Sequence, residues 1–220
     1  MPTFSFAPAT WTIVIITSMI TIVAFRDVAL MERWLFMPQR VTHQKQWYRM
    51  LTSGFIHADY MHLLFNMVSM LFIGSFVEHV VSAERMVPLY LGGIVLGNLA
   101  TLALRRHEPW MRAVGASGGV SAMIGALICM IPDASFMIFP IPLPIPVWIY
   151  GILFLVGSIL GMRRGTDNIG HEAHAGGMFA GIAAIALYRP DMIADNVLYV
   201  ALVVIIPTIT WLVLRRRPLL

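Results

Sequence analysis

Apolar residues in this chain run in continuous blocks of about 20, the length of helix that crosses the hydrocarbon core of a bilayer. A core folded in water needs no such blocks, because one apolar stripe per helix is enough. Composition points the same way. Of 220 residues, 59% are hydrophobic and only 12% are charged, too few charges to cover a soluble domain of this size. With lipid as the solvent, backbone groups must be paired internally, which leaves helices or a closed barrel. Barrel strands alternate over about 10 residues, and these blocks do not alternate. The expected fold class is therefore all-α, a polytopic helical membrane protein in contact with the lipid bilayer.

A single cysteine, Cys129, lies inside an apolar run. It rules out a disulfide framework and reads as a small buried hydrophobe. The net charge of +4 would suit nucleic acid, but the basic residues sit at the ends of apolar runs, as membrane flanks do. No nucleic-acid partner is expected. The first apolar run lacks a basic region ahead of it, so no cleavable signal peptide is expected.

Seven spans are predicted, at about residues 8–25, 57–81, 86–104, 114–131, 147–162, 170–188 and 196–214, the last followed by Arg215, Arg216 and Arg217. Residues 26–55 carry scattered charge together with Trp34, Trp47 and Tyr48. They are too polar to span and too apolar for a solvated loop, which suits an interfacial segment. Four prolines within residues 140–146 exclude helix there. The fourth and sixth spans are rich in glycine and alanine, which lets helices approach closely where packing replaces hydrophobic drive. No internal repeat and no separate soluble domain is visible.

Polar residues inside spans are costly and are candidates for function. Gly115-Ala116-Ser117-Gly118-Gly119 opens the fourth span. Its serine is flanked by small residues, and the head of a helix offers free N–H groups to a developing oxyanion. Alone, this pattern is met as readily by a capping serine with packing glycines. His171-Glu172-Ala173-His174-Ala175-Gly176-Gly177 opens the sixth span. Its histidine could take a serine proton and return it to a leaving amine. His174, Gly177 and Gly181 share one helical face, and Ser117, Ser121 and Gly125 share another. Packing those two faces together would bring Ser117 and His174 to one level. His171 is explained by a position facing water or headgroups. On the second span His62 and Asn66 lie at i, i+4. Both can donate hydrogen bonds, as an oxyanion site or as a polar clamp between helices. His57, nearer the end of that span, reads as structural.

Taken together, these residues resemble the rhomboid intramembrane serine proteases over about residues 47–188. Ser117 in G-x-S-G and His174 in A-H-x-x-G match that family's pattern in type, order and spacing. His62 and Asn66 match its H-x-x-x-N pair, Tyr48-Arg49 its aromatic–arginine element, and Glu78 a glutamate at the end of the second span. The resemblance implies a six-helix rhomboid core to which a seventh, C-terminal span is added. It divides the chain into residues 1–46 (first span and start of the interfacial segment), 47–190 (catalytic core) and 191–220 (extra span and basic tail). Ser117 becomes the nucleophile and His174 the base of a dyad. His62, Asn66 and the Ser117 N–H become the oxyanion site, where one donor is worth about 3 kcal/mol. Gly115 and Gly118 leave room for substrate, and Gly177 and Gly181 pack the histidine helix. Arg49 and Glu78 are structural. Expected substrates are single-span or polytopic membrane proteins, with no metal or organic cofactor required. A recessed serine reached by water from one side is implied, as is an interfacial segment lying partly in the bilayer. So are a substrate gate at the fifth span and a lid at residues 163–169 between Gly161 and Gly170. The setting would be a bacterial cytoplasmic membrane. One departure is visible. Many members carry an aromatic one turn after the serine, stacked on the histidine; Ser121 stands there, so the histidine must be oriented from elsewhere, with Glu172 and His171 as candidates.

Two other readings compete. His171-Glu172-Ala173-His174 echoes the zinc-peptidase H-E-x-x-H, but with H-E-x-H spacing the helical face and the place of the glutamate between the ligands are wrong for that motif. A catalytically inactive rhomboid-like protein that binds membrane clients would usually lack the serine or the histidine, and both are kept here. On orientation the sequence points two ways. Only Arg85 and Arg189 fall on the side away from Ser117. The positive-inside rule makes the serine side cytoplasmic, whereas the resemblance implies a site opening away from the cytoplasm.

Overall fold

The computed structural model describes residues 6–108, 110–138, 141–164 and 170–215. Helix α1 (Pro8–Ala24) is followed by short helices α2 (Val28–Trp34), α3 (Pro38–His43) and α4 (Arg49–Thr52) and a 3-10 turn, Ser53–Phe55. Next come α5 (Tyr60–Ser69), a π-helical turn (Met70–Gly74) and α6 (Ser75–Val81), which join into one helical rod of 22 residues. The remaining helices are α7 (Ala83–Arg105), α8 (Ser117–Met130), α9 (Val147–Arg164), α10 (His171–Tyr188), α11 (Pro190–Asp195) and α12 (Val197–Leu214). By length and composition, Tyr60–Val81, Ala83–Arg105 and Val197–Leu214 can each cross a membrane, while α1, α8 and most of α9 are shorter apolar helices. The chain is a helical polytopic membrane protein. The predicted spans coincide with these helices to within a few residues at their ends.

One strand pair departs from an all-helical reading. The proline-rich stretch forms β2 (Ile141–Pro146), antiparallel to β1 (Ser135–Ile138). Pro142, Pro144 and Pro146 recur at every second residue. That period puts each missing N–H on the same edge of the strand and leaves the intervening residues to donate to β1. Backbone bonds from Val147 N to Ala134 O (2.8 Å) and from Trp148 N to Pro132 O (3.3 Å) then lead the pair into α9.

At the centre lies α8, whose residues Gly118 to Met130 are all buried. Fourteen residues make it about 21 Å long at 1.5 Å per residue, well short of the roughly 30 Å hydrocarbon core. It is flanked by α7 and α10, and α10 makes its most extensive contacts with these two helices. The packing is backbone on backbone. A Cβ at Gly177 would run into the Gly118 carbonyl, one at Gly181 into the Ala122 carbonyl, and one at Gly125 into the Met178 carbonyl. On the α7 side, a Cβ at Gly97 would lie 2.7 Å from the Ala173 carbonyl oxygen. Small residues are thus what sets the spacing of the three central helices.

Two buried ionic groups tie the periphery to this centre. Glu78, near the end of the Tyr60–Val81 rod, accepts from Ala9 N (3.0 Å), Thr10 N (2.7 Å) and Thr10 Oγ1 (2.8 Å). It caps the free N–H groups of α1, where a negative charge also meets the positive end of the helix dipole. Arg49 is buried and spans the 26–55 segment. Its Nη1 donates to Glu32 O (2.8 Å) and Leu35 O (2.7 Å), and its Nε donates to Gln46 Oε1 (2.6 Å).

Candidate active site

Ser117 is the first residue of α8 and is half-buried. Four bonds to the N-terminal part of the chain hold the backbone that leads to it. Phe36 and Ala113 exchange both of their backbone bonds (2.9 and 3.1 Å), Gly115 N donates to Ser53 O (2.9 Å), and Ala116 N donates to His57 Nε2 (3.2 Å). Asn98 on α7 fixes that segment in turn, donating to Met50 O (2.8 Å) and Ser53 Oγ (2.9 Å). Gly115 has φ of +118°, a conformation open to glycine and strained for other residues. A side chain there would also strike the His62 ring.

His57 is fully buried, and its tautomer follows from its neighbours. A backbone N–H can only donate, so Nε2 is the acceptor and Nδ1 carries the proton. Nδ1 lies 3.0 Å from Thr21 Oγ1, and that hydroxyl donates to Phe55 O (3.0 Å). A relay from Phe55 through α1 thus ends on the residue before Ser117. The sequence marked His57 only as structural and gave no sign of its partner. The sign available was a second histidine five residues before His62, in a chain that keeps polar groups out of its apolar runs.

His62 enters through a cap. Asp59 Oδ1 accepts from His62 N (2.8 Å) and starts α5 there. The His62 ring stands edge-on to His57 (centroids 5.0 Å, 80°) and lies over Gly115. Asn66 is buried one turn on, and its Nδ2 donates to His62 O (2.9 Å). That amide carries two hydrogens, of which this bond uses one.

His174 lies in the first turn of α10 and is buried. The α8 and α10 heads meet at the backbone: a Cβ at Gly118 would come within 3.6 Å of the Ala173 carbonyl oxygen, and Gly177 abuts Gly118. The residues adjoining Ser117 and His174 are therefore in contact, and the α8 face that meets Gly177 and Gly181 is that of Gly118 and Ala122. The His174 ring itself is met from α9. Phe154 lies against it with centroids 5.0 Å apart and planes at 30°, and Ser158 Oγ is 3.3 Å from Nδ1. Sequence reasoning singled out neither residue, although Ser158 is a hydroxyl in an apolar span and could have been flagged by the rule applied to Asn66. His171 stands edge-on to His174 (5.8 Å, 89°) and packs against Gly161 of α9. Ser121, one turn after Ser117, is buried and presents no ring.

Glu172, considered as an aid to the histidine, is committed elsewhere. Its Oε1 accepts from Arg105 Nε at 2.6 Å. The same guanidinium donates to Glu108 Oε1 (2.8 Å) and Met162 O (3.0 Å). Arg105 thus joins the end of α7, the end of α9 and the head of α10. A cavity of about 490 Å³ opens beside this junction, lined in part by Ala58, Arg105, Val114, His171 and Glu172. Of the expected lid, residues 165–169 lie outside the described residues.

A family model described as the Rhomboid domain matches residues 44–191. Similar curated proteins include RHOMBOID-like protein 12, mitochondrial, of Arabidopsis thaliana, 30% identical over 158 residues that cover 64% of this chain and 45% of that one. Rhomboid-like protease 3 of Toxoplasma gondii is 28% identical over 154 residues, 67% of this chain and 54% of that one. Rhomboid protease GluP of Bacillus subtilis is 27% identical over 149 residues, 67% and 27%. The chain spans about half the length, or less, of these curated relatives. Two of the three are proteases by name, and one is mitochondrial by name. The relatives lend no support to the bacterial cytoplasmic membrane expected from the sequence; what stands is an integral membrane protein.

Proposed function

The chain belongs to the rhomboid family, and from that premise we propose that it is an intramembrane serine endopeptidase. It cuts transmembrane segments of single-span or polytopic membrane proteins within or near the bilayer, and residues 47–190 form its catalytic core. Ser117 attacks the scissile carbonyl, and His174 takes the hydroxyl proton and returns it to the leaving amine. Water then hydrolyses the acyl-enzyme with the same histidine as base. Asn66 offers its second amide hydrogen, His62 a ring N–H, and Ser117 its backbone N–H to the oxyanion. Gly115 and Gly118 keep the approach to the serine open. The observation that carries this reading is the contact between the α8 and α10 heads, which brings the neighbours of Ser117 and His174 together.

The test is cleavage of a single-span reporter in proteoliposomes. Ser117→Ala and His174→Ala are each expected to lower the rate by at least about 10³-fold, with His171→Ala far milder. Cleavage by Ser117→Ala at the wild-type rate would exclude the serine mechanism. Loss in His171→Ala with activity kept in His174→Ala would move the base. A wild-type chain that binds the reporter without cutting it would favour a client-binding role.

A further inference from the structure

The base of the proposed dyad sits on α10, yet the side chains against its ring come largely from α9. Tyr150, Phe154 and Ser158 recur at i, i+4 and i+8 and so share one face of that helix. The Phe154 ring covers the imidazole at 5.0 Å, inside the range of productive aromatic pairs. Tyr150 backs Phe154 in a near-parallel stack (5.8 Å, 25°). Ser158 is buried, and its hydroxyl faces Nδ1. An imidazole acting as base needs two things fixed: the plane of its ring and the nitrogen that carries the proton. Phe154 is placed to set the first. Ser158 is placed to set the second: with its hydroxyl accepting from Nδ1–H, Nε2 carries the lone pair that takes the serine proton.

We propose that Phe154 and Ser158 are the positioning residues of His174, so that α9 orients the base while α8 supplies the nucleophile. The proposal rests on the reading of Ser117 and His174 as the dyad. It gives a physical reason for Ser121: with a ring supplied from α9, the α8 position one turn after Ser117 needs none. Both ends of α9 are held, which keeps its face in register with the imidazole. The strand pair holds the start through Val147 and Trp148, and Arg105 holds the end through Met162 O. His171 against Gly161 adds a close contact beside the ring.

The experiment uses the full-length chain in detergent and follows labelling of Ser117 by a small fluorophosphonate probe. Reporter kcat and KM are measured in parallel, and thermal unfolding is followed for every variant. Phe154→Leu, which keeps bulk and loses the ring, is expected to slow labelling and kcat about tenfold with KM within about twofold. Phe154→Tyr is expected to stay near wild type. Ser158→Ala is expected to slow both rates several-fold, and Ser158→Thr to recover most of the loss. Leu153→Ala, on the exposed side of α9, serves as the control. Wild-type labelling in folded Phe154→Leu, or a loss no larger than that of Leu153→Ala, would overturn the proposal. Should Phe154→Leu not fold, wild-type labelling in Ser158→Ala would overturn it. Absence of Ser117 labelling in the wild type would instead overturn the dyad reading, and this inference with it.

Discussion

The α8–α10 contact and the α9–α10 contact meet around one histidine and are built in opposite ways. Between α8 and α10 glycines bring backbone against backbone, and Gly118, Gly125, Gly177 and Gly181 leave no side chain to yield. Between α9 and α10 the contact runs through side chains: the Phe154 ring, the Ser158 hydroxyl, His171 on Gly161, and the Arg105 guanidinium bridging both helices. The first kind of contact sets where two residues stand. The second sets how one of them is turned. In lipid there is little hydrophobic drive between helices, so close fit and polar bonds must supply both functions, and this bundle divides them between two interfaces.

The largest effect is expected from breaking the backbone contact. In Gly181→Val the added Cβ overlaps the Ala122 carbonyl, so the helices must part. A loss of about 3 kcal/mol is expected, with cleavage down by about 10²-fold because the reacting groups are displaced. Unfolding in detergent and reporter cleavage check this together, and two unchanged readings would mean that glycine packing does not set the spacing. Arg105→Met breaks the side-chain interface instead. It leaves the Glu172 carboxylate buried without its partner, but Arg105 is 24% exposed, so about 2 kcal/mol is expected, below the range for fully buried pairs. Adding Glu172→Leu should recover most of that stability, since an apolar pair replaces the ionic one; a double variant no better than the single would refute the account. The smallest effect is expected from the loop before the serine. His57→Ala strands the Ala116 N–H, for about 1 kcal/mol and a several-fold loss in cleavage. His57→Gln keeps an acceptor and should restore part of both.

The helix ends were legible because charge and proline bound the apolar runs on both sides. Arg105 and Arg112 frame the loop before Ser117, and Pro132 follows α8. Proximity of the α8 and α10 heads was also legible, since a run of glycine along one helical face has few uses other than close approach. The ring over His174 was not. In lipid a phenylalanine is as well placed facing outward as inward, as exposed Phe65 and Phe72 illustrate, so an aromatic carries no signal of which way its helix is turned. The link from His57 to Ala116 was hidden for a different reason: its partner is a backbone N–H 59 residues away, and residue types say nothing about such a bond. The β1–β2 pair escaped because proline clusters mark where a helix stops without saying what replaces it.

The shortness of α8 has a consequence for how the protein is made. A helix of about 21 Å with Ser117, Ser121 and three glycines has no comfortable resting place in lipid on its own. It emerges from the ribosome after α7 but well before α10, the neighbour that packs against Gly118 and Gly125. During that interval the helices already made must shelter it, α7 foremost, with Gly93 against Ala122 and the Tyr90 ring over Gly119. The serine helix is thus a dependent one during biogenesis, retained by its predecessors until the histidine helix arrives to close the bundle.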